Sequence, residues 1–88
     1  MKVGVVGVGS MGQHHARVYS EIQGVELVGV ADRDYNKAKE IAGLYNCKAF
    51  SDYRELLPLI DAVSIAVPTE LHGKIAIEFL KAGKDVLI

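Results

Sequence analysis

Short apolar runs recur along the chain, and helix-length stretches separate them. The runs fall at residues 2–6, 25–31, 61–67 and 85–88, with a weaker one at 47–50. They are rich in Val, Ile and Ala and lack polar alternation, the pattern of strands buried on both faces. The stretches between them carry helical spacing. Residues 11–23 place Gly12, Ala16, Tyr19 and Gln23 near one line, and residues 35–45 place Ala38, Ile41, Ala42 and Tyr45 on one face. Asp34 is the expected N-cap of the second helix. Ser51 or Asp52 starts a short helix through Leu57, limited by Pro58. Thr69 is positioned to cap a helix running to Ala82, with Glu70 in its first turn. Its expected inner face is Ile75, Ala76, Phe79 and Leu80, and Gly83 fits a left-handed exit. The order β-α-β-α-β-α-β-α-β predicts an α/β fold of the Rossmann-like, doubly wound type. Five parallel strands in order 3-2-1-4-5 carry helices on both faces.

The first βα turn reads GVGSMG, with Gly7, Gly9 and Gly12. G-x-G-x-x-G is a weak signal alone. Here it follows a strand and opens a helix, and Asp32 closes the next strand 20 residues after Gly12. That context points to a dinucleotide site. Gly7 permits the tight turn, Gly9 lets a pyrophosphate approach the backbone, and Gly12 lets the helix lie close to the first strand. Free N–H groups near Ser10, Met11 and Gly12 would meet phosphates at the positive helix end. Asp32 can accept hydrogen bonds from both hydroxyls of an adenosine ribose. Its charge would repel a 2′-phosphate, which favours NAD over NADP. Arg33 leaves NADP possible, since it could stack on adenine or pair with a 2′-phosphate.

A second cluster, SIAVPTELH at residues 64–72, ends the fourth strand beside the first, at the switch point where such sheets bind ligands. Ala66 and Val67 allow a cofactor to approach, Pro68 ends the strand, and Thr69 opens a helix. His72 falls in the first turn, where it could face the nicotinamide half, cap its own helix or face solvent. The adjacent His14 and His15 point about 100° apart and cannot share a metal as an i, i+4 pair can. His14 is expected outward and His15 packed at the sheet border. Asp52 and Glu55 read as capping residues, not a catalytic pair.

Net charge is −1 with the signs interspersed, and no basic stripe points to nucleic acid or an anionic membrane. No run approaches the ~20 apolar residues of a membrane span. The apolar start is broken by Gly4, Gly7 and Gly9, then by His14, His15 and Arg17, so it reads as structure and not as a signal peptide. Cys47 is the only cysteine, which excludes an internal disulfide and fits a reduced, cytoplasmic setting.

The stretches GVVGVGSMGQHHARVY, GVELVGVADRD, KAFSDYRELL, DAVSIAVPTELH and KAGKDVLI resemble the N-terminal half of the Gfo/Idh/MocA oxidoreductases. That family includes inositol, glucose–fructose and other sugar dehydrogenases. The resemblance implies NAD(P) binding by Gly7, Gly9, Gly12 and Asp32, with help from Pro68 to His72 and with Arg33 near the adenine. The expected contact set is Gly7, Val8, Gly9, Ser10, Met11, Gly12, Asp32, Arg33, Val67, Pro68, Thr69, Leu71 and His72. No catalytic residue or metal ligand is expected. In the family, the equivalent of DVLI is followed by Glu-Lys-Pro, whose lysine serves in catalysis, and then by a substrate domain. The chain therefore resembles a dehydrogenase truncated to residues 1–88, a dinucleotide-binding domain that holds cofactor without turnover. The alternatives are a ligand-free minimal fold or interaction scaffold, and an S-adenosylmethionine-binding module. In strand order 3-2-1-4-5, one face over strands 4 and 5 has no helix and strand 5 is an open edge. A homodimer through residues 62–67 and 85–88 is the expected consequence.

Overall fold

The computed structural model describes residues 1–87, apart from the Thr69 side chain. Ile88, assigned above to the fifth strand and to a dimer contact, lies outside the described residues. The elements are β1 (Lys2–Val6), α1 (Ser10–Glu21), β2 (Glu26–Ala31), α2 (Tyr35–Tyr45) and β3 (Lys48–Phe50). A 3-10 helix (Tyr53–Leu59), β4 (Ala62–Ile65), α3 (Thr69–Lys81) and β5 (Asp85–Leu87) follow. The strands form one parallel sheet in the order β3-β2-β1-β4-β5, as the alternation of apolar runs and helices predicts.

Each face of the sheet has its own core. Val3, Val5 and Ala62 pack against Ala16 of α1 and Ala38, Ile41 and Ala42 of α2. Val6, Val63 and Ile65 pack against Leu56, Ile60, Ile75 and Phe79 on the opposite face. Full burial of a Leu or Phe side chain is worth roughly 1.5–3 kcal/mol, and Leu56 and Phe79 are both completely enclosed. Leu56 fits a notch in the sheet. Gly4 and Gly29 are partners across β1 and β2. A Cβ on Gly4 would lie 3.1 Å from Leu56 Cδ1, and one on Gly29 would lie 3.3 Å from Leu56 Cδ2.

The helix ends follow local chemistry with some corrections. Asp34 caps α2 as expected, accepting from Lys37 N at 3.2 Å, and Gly83 has the left-handed φ of 78° that the exit from α3 needs. α1 stops at Glu21, so Gln23 lies in the turn beyond it. Asp52 caps the third helix by accepting from Arg54 N at 2.9 Å. That helix is 3-10 and includes Pro58, running to Leu59. Proline's fixed φ suits 3-10 geometry and removes only one donor. α3 begins at Thr69 with Pro68 in the capping position. The Pro68 carbonyl accepts from Leu71 N and His72 N, so chain geometry makes the cap. Leu80 is 58% exposed and not on the inner face. Ile75 and Phe79 set the buried line, and the next residue is rotated about 100° away from it.

β4 is also better covered than the strand order alone suggests. Ala62 to Ile65 are all buried, and α1 reaches β4 through His15, whose Nδ1 lies 2.6 Å from Ser64 Oγ. The expected open half-face therefore narrows to β5, where Leu87 is 39% exposed.

Candidate functional site

The turn from β1 to α1 contains glycines of two kinds. Gly7 has φ +91°, and a Cβ there would run into the Ala66 carbonyl group. Its N–H donates to Ala31 O at 2.8 Å, fastening the turn to the end of β2. A Cβ on Gly12 would fall on the Gly7 carbonyl oxygen. Both positions therefore need glycine for reasons internal to the fold. Gly9 differs, because its φ of −70° suits any residue and nothing lies within 4 Å of a Cβ built there. Open space stands in front of it. The first intrahelical bond is Gln13 N to Gly9 O. The N–H groups of Ser10, Met11 and Gly12 precede that bond, have no acceptor within the helix, and form its positive end. Gln13 Nε2 steadies the turn by donating to Val8 O at 3.0 Å.

Asp32 is tied to this turn directly. Its Oδ2 accepts from Val8 N at 2.9 Å and its Oδ1 from Asp34 N at 2.9 Å. The carboxylate is thereby fixed in orientation, and with about four acceptor sites in all it keeps capacity for further donors. Val8, expected among the cofactor contacts, has a fully buried side chain and spends its N–H on Asp32.

A cleft of about 670 Å³ opens in front of these groups. It lies past the carboxyl ends of β1 to β4, where open α/β sheets bind ligands. Gly7, Gly9, Asp32, Arg33, Val67, Pro68 and Leu71 line it. Ser10 and Met11 are exposed on the first turn of α1, and Gly12 is buried against Gly7. His72 is half-buried in the first turn of α3 and does not line the cleft. The side chain of Thr69 lies outside the described residues. Ala66, read from sequence as allowing close approach, lines the cleft as well.

The remaining wall comes from residues outside the expected contact set. Ser51, Asp52, Tyr53 and Arg54 follow β3, and Lys74 and Ile75 come from α3. The rule that ligands gather past the carboxyl ends of strands, applied to β3 as well as to β1, β2 and β4, would have flagged residues 51–54. The Tyr53 hydroxyl donates to the Glu78 carboxylate. Arg54 Nη2 donates to Glu78 Oε1 at 3.2 Å, and its Nη1 lies 3.5 Å from Asp52 Oδ1. The guanidinium carbon sits 4.9 Å from the centroid of the Tyr53 ring. Burial, followed by the bond to Glu78, raises the Tyr53 hydroxyl above its ordinary pKa. That same bond, more than the Arg54 charge, holds the Glu78 carboxyl below its ordinary value.

Cys47 lies outside the cleft, and burial pushes its thiol up to about 11. His14 is exposed, with Nδ1 3.2 Å from Arg17 Nη2. Among the described residues no cluster of His, Cys, Asp and Glu could hold a metal ion, and no helix is long and apolar enough to cross a membrane.

Comparison with known proteins agrees with this geometry. The family described as oxidoreductase family, NAD-binding Rossmann fold (GFO_IDH_MocA) matches residues 1–88. UDP-N-acetylglucosamine 3-dehydrogenase of Acidithiobacillus ferrooxidans is 41% identical over 88 residues, which is 100% of this chain and 28% of that protein. Its solved structure superposes with a TM-score of 0.94 over 100% of this chain and 28% of that one. Inositol 2-dehydrogenase of Rhizobium meliloti is 37% identical over 98% of this chain and 26% of its own length. GenD2 from gentamicin A biosynthesis, solved in complex with NAD, matches with a TM-score of 0.94 and 32% identity over 98% of this chain and 25% of that one. The chain thus spans little more than a quarter of the relatives it matches. Fold, glycine turn and full-length match together place the chain in the Gfo/Idh/MocA oxidoreductase family, as its NAD-binding Rossmann fold.

Proposed function

We propose that residues 1–88 bind NAD(H) as the dinucleotide-binding domain of an oxidoreductase acting on a sugar or polyol. Gly9 carries this reading. It is the one glycine of the turn whose identity neither backbone conformation nor a neighbour within 4 Å demands. A ligand pressed against the turn supplies the missing reason, and the N–H groups of Ser10, Met11 and Gly12 are the donors it would meet. The fixed Asp32 carboxylate suits the ribose hydroxyls and disfavours a 2′-phosphate, so NAD ranks above NADP. Gly7, Arg33, Val67, Pro68 and Leu71 supply the cleft walls. Gly12 offers its N–H while packing against Gly7, and Val8 acts through its bond to Asp32.

When bound, NAD supplies the hydride acceptor for oxidation of an alcohol carbon. The residues of the chain would orient it: the turn would hold the phosphates and Asp32 the ribose. The names of the relatives, a UDP-N-acetylglucosamine dehydrogenase and an inositol dehydrogenase, support a sugar-like substrate. The reading extends to a cytoplasmic setting, which the single half-buried cysteine supports. It also includes a homodimer with β5 at its contact, supported by the exposure of Leu87.

Calorimetric titration with NADH, NADPH and S-adenosylmethionine side by side tests the assignment. NADH is expected to bind weakly, roughly 10 μM to 1 mM, or about −4 to −7 kcal/mol, with NADPH weaker and S-adenosylmethionine silent. No NADH binding at millimolar concentration refutes it.

A further inference from the structure

α3 presents three sides, and one of them is apolar and open. Ile75 and Phe79 are buried against the sheet. At about 100° per residue, Lys74 and Glu78 fall on the side next to the 3-10 helix. There Lys74 lines the cleft, and Glu78 accepts from Tyr53 and Arg54. Gly73, Ala76, Ile77 and Leu80 fall on the side away from that helix. α3 packs over β4 and β5, while the 3-10 helix packs over β1, β2 and β3, so this third side lies towards β5. On it Ile77 is 52% and Leu80 58% exposed.

Gly73 has no reason of its own to be glycine. It lies inside a helix, where glycine costs stability relative to alanine. Its φ is not positive, and a Cβ built on it would meet nothing within 4 Å. Nothing among the described residues therefore requires a missing side chain here. A bare stretch of backbone does let another body approach closely. Glu70, Gly73, Ile77 and Leu80 also recur at spacings of three and four, the pattern of a helix-pairing seam.

The seam is complementary to itself. About a twofold axis, residue i meets j and j meets i. An antiparallel pair that seats Leu80 of one chain over Gly73 of a second copy brings Ala76 against Ile77 at the centre. The same alignment sets Glu70, in the first turn, near the far end of the second helix, where Lys81 stands in the last turn. Neither makes an ion pair within its own chain among the described residues. Each charge suits the dipole of its own helix, and the antiparallel pair lets each meet its opposite as well. We propose that this side of α3 is the surface on which two copies of the chain pair, helix on helix and antiparallel. This rests on the homodimer reading above and sets the centre of that contact on α3, beside β5. One helix on one helix belongs to the small, weak class of interfaces, below about 1,200 Å² in total, so the dimer should form only at roughly 20–500 μM.

Sedimentation equilibrium on the 88-residue chain tests this, with thermal melts confirming that each variant folds. Leu80→Lys puts a charge on the knob, and Gly73→Leu fills the hole. Each should weaken the dimer by about 10-fold or more, and both positions are exposed, so the monomer should stay folded. Glu70→Lys should weaken it by about 2- to 10-fold, since two symmetric surface pairs are lost. Adding Lys81→Glu should restore it to within about twofold of wild type. The double swap sets both charges against the helix dipole, so a mere effect on helix stability would make matters worse. Leu87→Lys should cost less than Leu80→Lys, because Leu87 is in register with Ser64 on the α1 face of the sheet. A dimer that survives Leu80→Lys and Gly73→Leu but not Leu87→Lys overturns the α3 seam and leaves the β5 contact standing. Failure of the charge swap to restore pairing overturns the antiparallel alignment. A wild-type monomer throughout that concentration range overturns the seam and the homodimer reading together.

Discussion

Replacing Gly9 and Gly12 by alanine, one at a time, should separate the two tasks of the glycine turn. At Gly12 the new methyl would fall on the Gly7 carbonyl oxygen. That atom is backbone and cannot swing away, so α1 must lift from the turn. Overpacking of this kind costs about 1–3 kcal/mol, and the backbone clash sets the upper end. At about 4–8 °C per kcal/mol for a chain of this size, the melting temperature should fall by roughly 10–20 °C. At Gly9 the methyl meets nothing within 4 Å, and the backbone needs no change. The penalty is that of a poor N-cap residue, about 0.5–1 kcal/mol. The same methyl stands before the helix N–H groups. Loss of hydrogen bonds to a charged phosphate, about 1.5–3 kcal/mol, should weaken NADH by roughly 10- to 150-fold. Circular dichroism melts and NADH titration on both variants measure the two effects. The reasoning is refuted if Gly12→Ala melts with wild type, if both variants lose equal stability, or if Gly9→Ala binds NADH unchanged.

Other substitutions probe single contacts. Asp32→Ala removes an acceptor for the ribose and the anchor for Val8 N. NADH affinity should fall by about 1.5–3 kcal/mol and the preference over NADPH should narrow; calorimetry showing a preserved preference would contradict the role. Ser64→Ala breaks the 2.6 Å bond to His15 and should cost about 1 kcal/mol without altering NADH affinity, since Ser64 does not line the cleft. A melting temperature equal to wild type would show that the bond adds nothing. Burial raises the Cys47 thiol from 9.0 to about 11, so the folded protein keeps its proton longer than the unfolded chain. Stability from this group is full below pH 9 and falls as pH rises through 9 towards 11. Urea midpoints of wild type and Cys47→Ala across that window should show the steeper decline in wild type, and parallel curves would count against it.

The parts of the fold written in local pattern could be read directly. The apolar runs become the strands, Asp34 caps α2, and the glycine turn with Asp32 meets at the head of the sheet. Local pattern is weaker where neighbours decide. Leu80 sits beside Phe79 in sequence, but the sheet takes only one helix stripe. Pro58 reads as a stop, but a 3-10 turn accommodates it. Strand order alone leaves one face of β4 open and misses the reach of His15 to Ser64. The wall formed by Ser51, Tyr53, Arg54 and Lys74 was least visible. It exists only because β3, β4 and α3 end around one cleft, and none of those residues forms a motif with the glycine turn. The bond from Val8 N to Asp32 was hidden for the same reason.

The notch formed by Gly4 and Gly29, filled by Leu56, restricts how this sequence can drift. Neither half can change freely while the other stays. A methyl added at Gly4 comes within 3.1 Å of the fully enclosed Leu56, whereas one added at Gly29 meets the Phe50 ring at 2.9 Å and the Lys48 carbonyl oxygen at 3.0 Å before Leu56 at 3.3 Å. Shortening Leu56 first leaves a void that the two glycines have no side chains to close, and Leu→Ala at a buried site costs about 2–5 kcal/mol. For a chain of this length, with roughly 4–13 kcal/mol of stability at the usual per-residue rate, either first step takes a large share. A successful substitution at Gly4 should therefore arrive paired with one at Leu56 on the 3-10 helix, while Gly29 is held by the Lys48 backbone as well. The second change would restore most of what the first removed.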